Sequence, residues 1–90
     1  MPTLRIPAPL RPYTGGQGEF TVQAETVSAA LDEVVRRHPA LRQHLFSEDG
    51  ELRAFVNLFL NNEDIRHLQG VQTPLAENDK LILIPSIAGG

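Results

Sequence analysis

Thr26-Val27-Ser28-Ala29-Ala30-Leu31-Asp32-Glu33-Val34-Val35-Arg36-Arg37 is the stretch on which the fold turns. Val27, Ala30, Leu31, Val34 and Val35 fall at i, i+3, i+4, i+7 and i+8, so the segment predicts an amphipathic helix with one apolar stripe. Thr26 stands at the N-cap, where a hydroxyl accepts from a free N–H of the first turn. Asp32–Arg36 and Glu33–Arg37 are i,i+4 pairs in the favourable order. Both arginines also sit at the negative end of the helix dipole. Pro39 ends the helix, because its ring disfavours α geometry at His38. A second short helix is expected over Pro39–Phe46.

Outward from this helix the pattern changes to alternation. Thr3–Leu10 places Leu4, Ile6, Ala8 and Leu10 on one side and reads as a strand. Its second half carries Pro7 and Pro9, which cannot donate to a ladder. Pro12–Gly18 is rich in turn residues, and Glu19–Gln23 alternates again with Phe20 and Val22 inward, so an N-terminal hairpin with a long loop is expected. After the helix, the turn Ser47–Gly50 leads into a strand over Leu52–Leu60. Ala54, Val56, Leu58 and Leu60 lie on one face of it, Arg53, Phe55, Asn57 and Phe59 on the other. Asn61–Asp64 turns the chain, Ile65–Leu68 is expected as a short edge strand, and Glu77–Asp79 forms another turn. Lys80–Pro85 is apolar on both faces, as a central strand is.

The order β-β-α-β-β-β, with one helix laid across one face of a mixed sheet of four to five strands, describes an α+β chain of the β-grasp, or ubiquitin-like, class. The last strand is expected parallel beside the first, in mid-sheet. Residues 1–85 form this domain, and residues 86–90 are expected as a flexible tail.

Ninety residues suffice for one small domain, burying roughly 60–65% of the unfolded surface. The formal net charge of −3 argues against nucleic acid, which calls for a basic patch, and fits a partner with a basic docking surface. Without cysteine there is no disulfide, no thiolate nucleophile and no Cys zinc site. No basic-plus-apolar leader and no bilayer-length apolar run is evident, so a cytoplasmic protein without membrane contact is expected. His38, His44 and His67 lack zinc-ligand spacing. Gly15-Gly16-Gln17-Gly18 lacks the lysine and the strand–loop–helix setting of a phosphate cradle, so it reads as hairpin loop.

The sequence closes on Gly89-Gly90. Two residues without Cβ make the thinnest peptide available, able to thread a narrow channel and present the Gly90 carboxylate to another enzyme. Five residues from Ser86 reach about 16 Å at roughly 3.3 Å each.

Three groups of residues carry a family resemblance. They are Thr26-Val27-Ser28-Ala29-Ala30-Leu31, then Val56-Asn57 with Leu60-Asn61-Asn62-Glu63-Asp64-Ile65-Arg66, and Thr73-Pro74-Leu75 with Asn78-Asp79-Lys80-Leu81. With the ending Ile84-Pro85-Ser86-Ile87-Ala88-Gly89-Gly90, they resemble the ubiquitin-like sulfur carriers related to the small subunit of molybdopterin synthase and to the thiamine sulfur carrier. The loop Leu10–Gln17 and the segment Phe55–Asn61 look most like the branch that serves cysteine biosynthesis. Asn78-Asp79 stands where molybdopterin-type carriers favour Gly-Asp, which keeps the turn chemistry.

The resemblance implies a carrier and not an enzyme, with no bound cofactor and no metal. An E1-like adenylating and sulfurtransferase enzyme would adenylate Gly90, using ATP and magnesium, and a sulfur donor would leave a thiocarboxylate there. A cysteine synthase dependent on pyridoxal phosphate (PLP) would join that thiocarboxylate to activated serine, and a JAMM-type metallopeptidase would release the cysteine. Molybdopterin, thiamine and tRNA thiolation are alternative destinations. Two other classes stay open. One is a ubiquitin-like modifier forming isopeptide bonds; the other is a non-covalent β-grasp binding module.

Phe55 and Phe59 lie opposite the core side of their strand, where Ile82 or Ile84 can join them. Exposed apolar patches mark interfaces, so this face is expected to dock the activating enzyme and the acceptor. The competing arrangement has Arg11–Gly18 or Pro39–Phe46 folded over it. Ile84, Pro85, Ile87 and Ala88 read either as strand end or as an anchor in a partner's groove, with Ile84 mostly core and Ile87 mostly partner. Arg11, Arg53 and Arg66 are expected as solvated surface arginines.

Overall fold

Two prolines decide where the first strand stops. In the computed structural model, which describes residues 1–54 and 56–85, β1 covers only Thr3–Arg5, not the expected Thr3–Leu10. From Ala8 to Thr14 the chain winds as a 3-10 helix with Pro7 as its N-cap. A strand here would need the N–H groups that Pro7 and Pro9 lack. Leu10 still reaches the core, but Ala8 does not. The loop closes through the buried Thr14, whose Oγ1 lies 2.7 Å from the Gln17 carbonyl oxygen. Gly15 and Gly16 take φ of 65° and 86°, the left-handed region that favours glycine. β2 is Glu19–Thr21, with Phe20 and Val22 inward as expected.

The helix α1 runs Val27–Arg37, and the Thr26 hydroxyl accepts from Ala29 N–H. Its five stripe residues are all buried. Glu33 pairs with Arg37. The expected Asp32–Arg36 ion pair is replaced by a bond from Arg36 Nε to the Asp32 carbonyl oxygen, 3.4 Å long. Glu33 Oε1 also accepts from Gln23 N–H at 2.9 Å, which ties the chain after β2 to the helix. After His38 a short 3-10 turn, Pro39–Leu41, passes into α2, Arg42–Leu45.

β3 is Val56–Leu60, shorter than the expected Leu52–Leu60. Leu52 instead pairs with Phe46 in an isolated bridge, and Arg53 N–H donates to the Leu45 carbonyl at 2.8 Å. Those bonds draw residues 52 and 53 toward α2, and Ala54 is left exposed. The expected edge strand at Ile65–Leu68 is also displaced. β4 is Glu63–Asp64, because Asn61 and Asn62 adopt φ of 50° and 75° and complete the turn in two residues. Asp64 then caps a 3-10 turn, Ile65–His67, by accepting from Arg66 N–H at 2.9 Å.

β5, Lys80–Pro85, runs parallel to β1 and antiparallel to β3. The sheet order is β2-β1-β5-β3-β4, so the last strand lies mid-sheet beside the first. One cluster, including Leu4, Phe20, Leu31, Leu58, Leu81 and Leu83, fills the space between α1 and one face of the sheet. Among the described residues, no helix lies over the opposite face. β5 is therefore apolar on both sides but covered on one: Leu83 is buried, while Ile84 is 45% exposed.

Candidate functional site

The uncovered face is a row of side chains set by strand register. Glu19, Arg5, Ile82, Phe59 and Asp64 lie opposite one another across β2, β1, β5, β3 and β4. A second, shorter row joins Ile84 to Asn57, and a third joins Thr21, Thr3 and Lys80. Side chains two apart along a strand share a face, so all of these project away from α1. Phe59 and Ile82 are half-buried by their neighbours, whereas Ile84 stands out. That exposure corrects the expectation that Ile84 is mostly core.

Neither segment proposed as a cover lies here. The Ala8–Thr14 helix packs on the Pro39–Leu45 region, with the Tyr13 and His44 rings 4.0 Å apart, and Leu10 enters the core under α1. Pro85, the last residue of β5, is paired with Val56 at the end of β3. Phe55 and Ser86–Gly90, including Ile87, Ala88, Gly89 and Gly90, lie outside the described residues.

The outer rim of the face is held by a polar network that sequence patterning did not single out. Arg66 donates to both Asp64 carboxylate oxygens, at 3.1 and 2.9 Å, and also to Asn57 Oδ1. Hydrogen bonds from the Arg66 guanidinium, followed by its backbone N–H, lower the Asp64 pKa to about 2. An Asp two residues before an Arg, after a two-residue asparagine turn, was the available signal. It is weak, because nothing in the spacing shows that β4 stops at Asp64.

The other arginines are also fastened. Arg11 Nε donates to the Ile6 carbonyl at 3.1 Å and Arg53 Nε to the Gln43 carbonyl at 2.9 Å, so neither is simply solvated. His38 meets the Phe20 ring edge-on at 5.4 Å. Among the described residues, no group of three His, Asp or Glu is placed to hold a metal ion. No helix of the described residues is long and apolar enough to cross a membrane.

Such a face offers recognition: a flat apolar centre of Ile82, Ile84 and Phe59, rimmed by fixed charges.

The chain is similar to known proteins. The ThiS family model matches residues 4–90. The sulfur carrier protein CysO of Mycobacterium tuberculosis is 34% identical over 90 residues, covering 98% of this chain and 97% of the relative. The crystal structure of the Amycolatopsis orientalis BexX/CysO complex contains a chain that superposes with a TM-score of 0.89 at 33% identity, covering all of both chains. Small archaeal modifier protein 1 of Haloferax volcanii is 38% identical over 65 residues, which is 72% of this chain and 70% of the relative.

Proposed function

The chain belongs to the ThiS family, and from that membership we propose that it is a sulfur carrier for cysteine biosynthesis, loaded as a thiocarboxylate on Gly90. The observation that carries this reading is the end-to-end match to the sulfur carrier protein CysO, with the family match running to Gly90.

The chemistry follows from the reactivity of a carboxylate. It is a poor electrophile until one oxygen becomes a good leaving group. An E1-like enzyme, with ATP and magnesium, supplies that step by forming the Gly90 acyl adenylate. A sulfur donor then attacks the carbonyl carbon, the bond to AMP breaks, and Gly90 keeps the sulfur as a thiocarboxylate. On a PLP-dependent cysteine synthase the thiocarboxylate sulfur would bond to the β-carbon of activated serine as that serine's leaving group departs. The resulting Gly90 thioester would rearrange by an S-to-N acyl shift to an amide with cysteine. A JAMM-type metallopeptidase would hydrolyse that amide to release cysteine and restore the Gly90 carboxylate. All of these cofactors belong to the partners.

The carrier's own contribution is delivery. β5 is flanked by β1 as far as Ile82 and by β3 along its length, so Pro85 ends the strand paired with Val56. The face of Phe59, Ile82 and Ile84 gives the partner a surface to grip while Gly89-Gly90 enter its active site. This is enough to account for a protein that performs no bond-making step itself.

Top-down mass spectrometry localised to the C-terminal fragment tests the reading. Localisation is needed because oxidation of Met1 changes the mass almost as much as exchange of oxygen for sulfur. Sulfur or a cysteine adduct on Gly90 is the expected result, and the adduct identifies the pathway over molybdopterin, thiamine or tRNA thiolation. A bare carboxylate after incubation with the activating enzyme, ATP and a sulfur source overturns it. Isopeptide-linked products on cell proteins would support the modifier reading that the archaeal relative's name suggests.

A further inference from the structure

The charge of the whole chain and the charge of its open face have opposite signs. The chain carries a formal −3, yet the rows described above, with Arg66 at their rim, hold three cations, Arg5, Lys80 and Arg66, against two anions, Glu19 and Asp64. Asp64 and Arg66 are paired and cancel, which leaves Arg5 and Lys80 against Glu19. Arg5 and Lys80 are exposed and, among the described residues, make no ion pair within 4.0 Å. They are diagonal neighbours on β1 and β5, since Thr3 stands opposite Lys80 and Arg5 opposite Ile82.

Between them lies a niche of about 100 Å³ lined by Thr3, Arg5, Glu19, Lys80, Leu81 and Ile82. Small-molecule and cofactor sites run from about 300 to 1,000 Å³, so this niche suits a single side chain. Arg5 and Lys80 outnumber the one anion there, Glu19, and with the Thr3 hydroxyl they favour a carboxylate on the Lys80 side. On the other side of the apolar centre, Arg66 is held in place by Asn57 and Asp64 with its guanidinium still more than half exposed. The face thus presents unpaired cations on one flank of Ile82, Ile84 and Phe59 and the exposed, Asp64-paired Arg66 guanidinium on the other.

We propose that this face receives a protein surface with an aliphatic or aromatic centre and an acidic rim, one carboxylate of which enters the niche between Arg5 and Lys80. The proposal rests on the reading of this face as the docking surface, and it reverses the basic partner that net charge alone suggests. Complementary charge steers encounter and rejects wrong partners. Because the cations are exposed, their contribution weakens as salt rises past the point where the Debye length falls below about 10 Å.

The test needs no partner enzyme. The ¹⁵N-labelled full chain is titrated with two acetylated, amidated peptides, Glu-Leu-Phe-Asp-Leu-Glu and Lys-Leu-Phe-Lys-Leu-Lys, at low salt. The expected result is shifts at Arg5, Lys80, Ile82 and Phe59 with the acidic peptide and about tenfold weaker ones with the basic peptide, the exposed charges each adding modestly. The Arg5→Glu, Lys80→Glu double variant should lose that preference, and the unperturbed amides of α1 report that it still folds. Three results overturn the proposal: no shift with either peptide, equal shifts with both, or shifts confined to residues outside this face. Sulfur loading of Gly90 is read by mass and stands or falls separately.

Discussion

Asn61 and Asp79 are locked together where the β3–β4 turn meets the start of β5. Asn61 Nδ2 donates to Asp79 Oδ1 at 2.9 Å, Asn61 Oδ1 accepts from Lys80 N–H at 3.0 Å, and Asp79 Oδ2 accepts from Ala76 N–H at 2.7 Å. Two turns distant in sequence thereby fix the start of β5.

Replacing Asn61 should therefore loosen β5 without touching the core. Asn61→Ala removes both side-chain bonds and leaves a Cβ residue at φ 50°, at a combined cost of about 2 kcal/mol. Asn61→Gly loses the same bonds but relieves the backbone, so it should cost about 1 kcal/mol. Urea midpoints of the two variants check the order, and equal losses would show that the left-handed backbone carries no cost.

Acid stability should depend on the carboxylates of both turns. Asp64 is held at about 2 against its ordinary 3.8, chiefly by hydrogen bonds from the Arg66 guanidinium. Asp79 is lowered by bonds from Ala76 N–H and from Asn61. A depressed carboxylate pKa stabilises the fold fully above the unfolded value and loses that contribution as pH falls through the folded value. Stability should thus decline as pH drops from 3.8 towards 2. Asp64→Asn should flatten that decline, and urea midpoints measured across this window decide whether it does.

Much of the fold was legible because helix and strand periods differ so clearly here. The α1 stripe, its Thr26 cap and its Pro39 stop were visible residue by residue, and so was the alternation that buries Phe20 and Val22. What escaped was set by particular turns and hydrogen bonds that residue periodicity does not encode. Leu52 alternates correctly for a strand, yet its partner is Phe46, across a turn, and no local pattern reveals that. Ile65 looks like strand, but Asp64 accepting from Arg66 N–H bends the chain into a 3-10 turn. On the site, Phe59 was readable from alternation alone. Arg5, Lys80 and Arg66 became a group only when register placed them on one face.

Gly18 allows Arg11 to brace the hairpin loop. A Cβ at residue 18 would stand 2.6 Å from Arg11 Nε, the atom that donates to the Ile6 carbonyl. Gly18→Ala should displace the guanidinium and cost about 1 kcal/mol. In an Arg11→Ala background the same substitution should cost much less, since the bond is already gone. A double-mutant cycle in urea gives the coupling, and strict additivity would mean that Gly18 serves some other need.

Side chains from the two faces of the sheet should separate stability from recognition. Leu58 is fully enclosed under α1, so Leu58→Ala should cost about 2–5 kcal/mol through lost burial and the cavity left behind. Ile84, 45% exposed on the other face, should tolerate Ile84→Ser within about 0.5 kcal/mol. Phe59→Ala should lie between, because Phe59 is half-buried. Activation should follow a different order. In ATP–pyrophosphate exchange with the activating enzyme, Ile84→Ser and Phe59→Ala should each lower kcat/KM by roughly tenfold or more, the effect of about 1.4 kcal/mol at an apolar contact. Leu58→Ala should exchange normally at temperatures where it remains folded. If Ile84→Ser and Phe59→Ala both activate like the unaltered chain, the face between β5 and β3 is not where the enzyme holds its carrier. Docking would then fall to the tail alone.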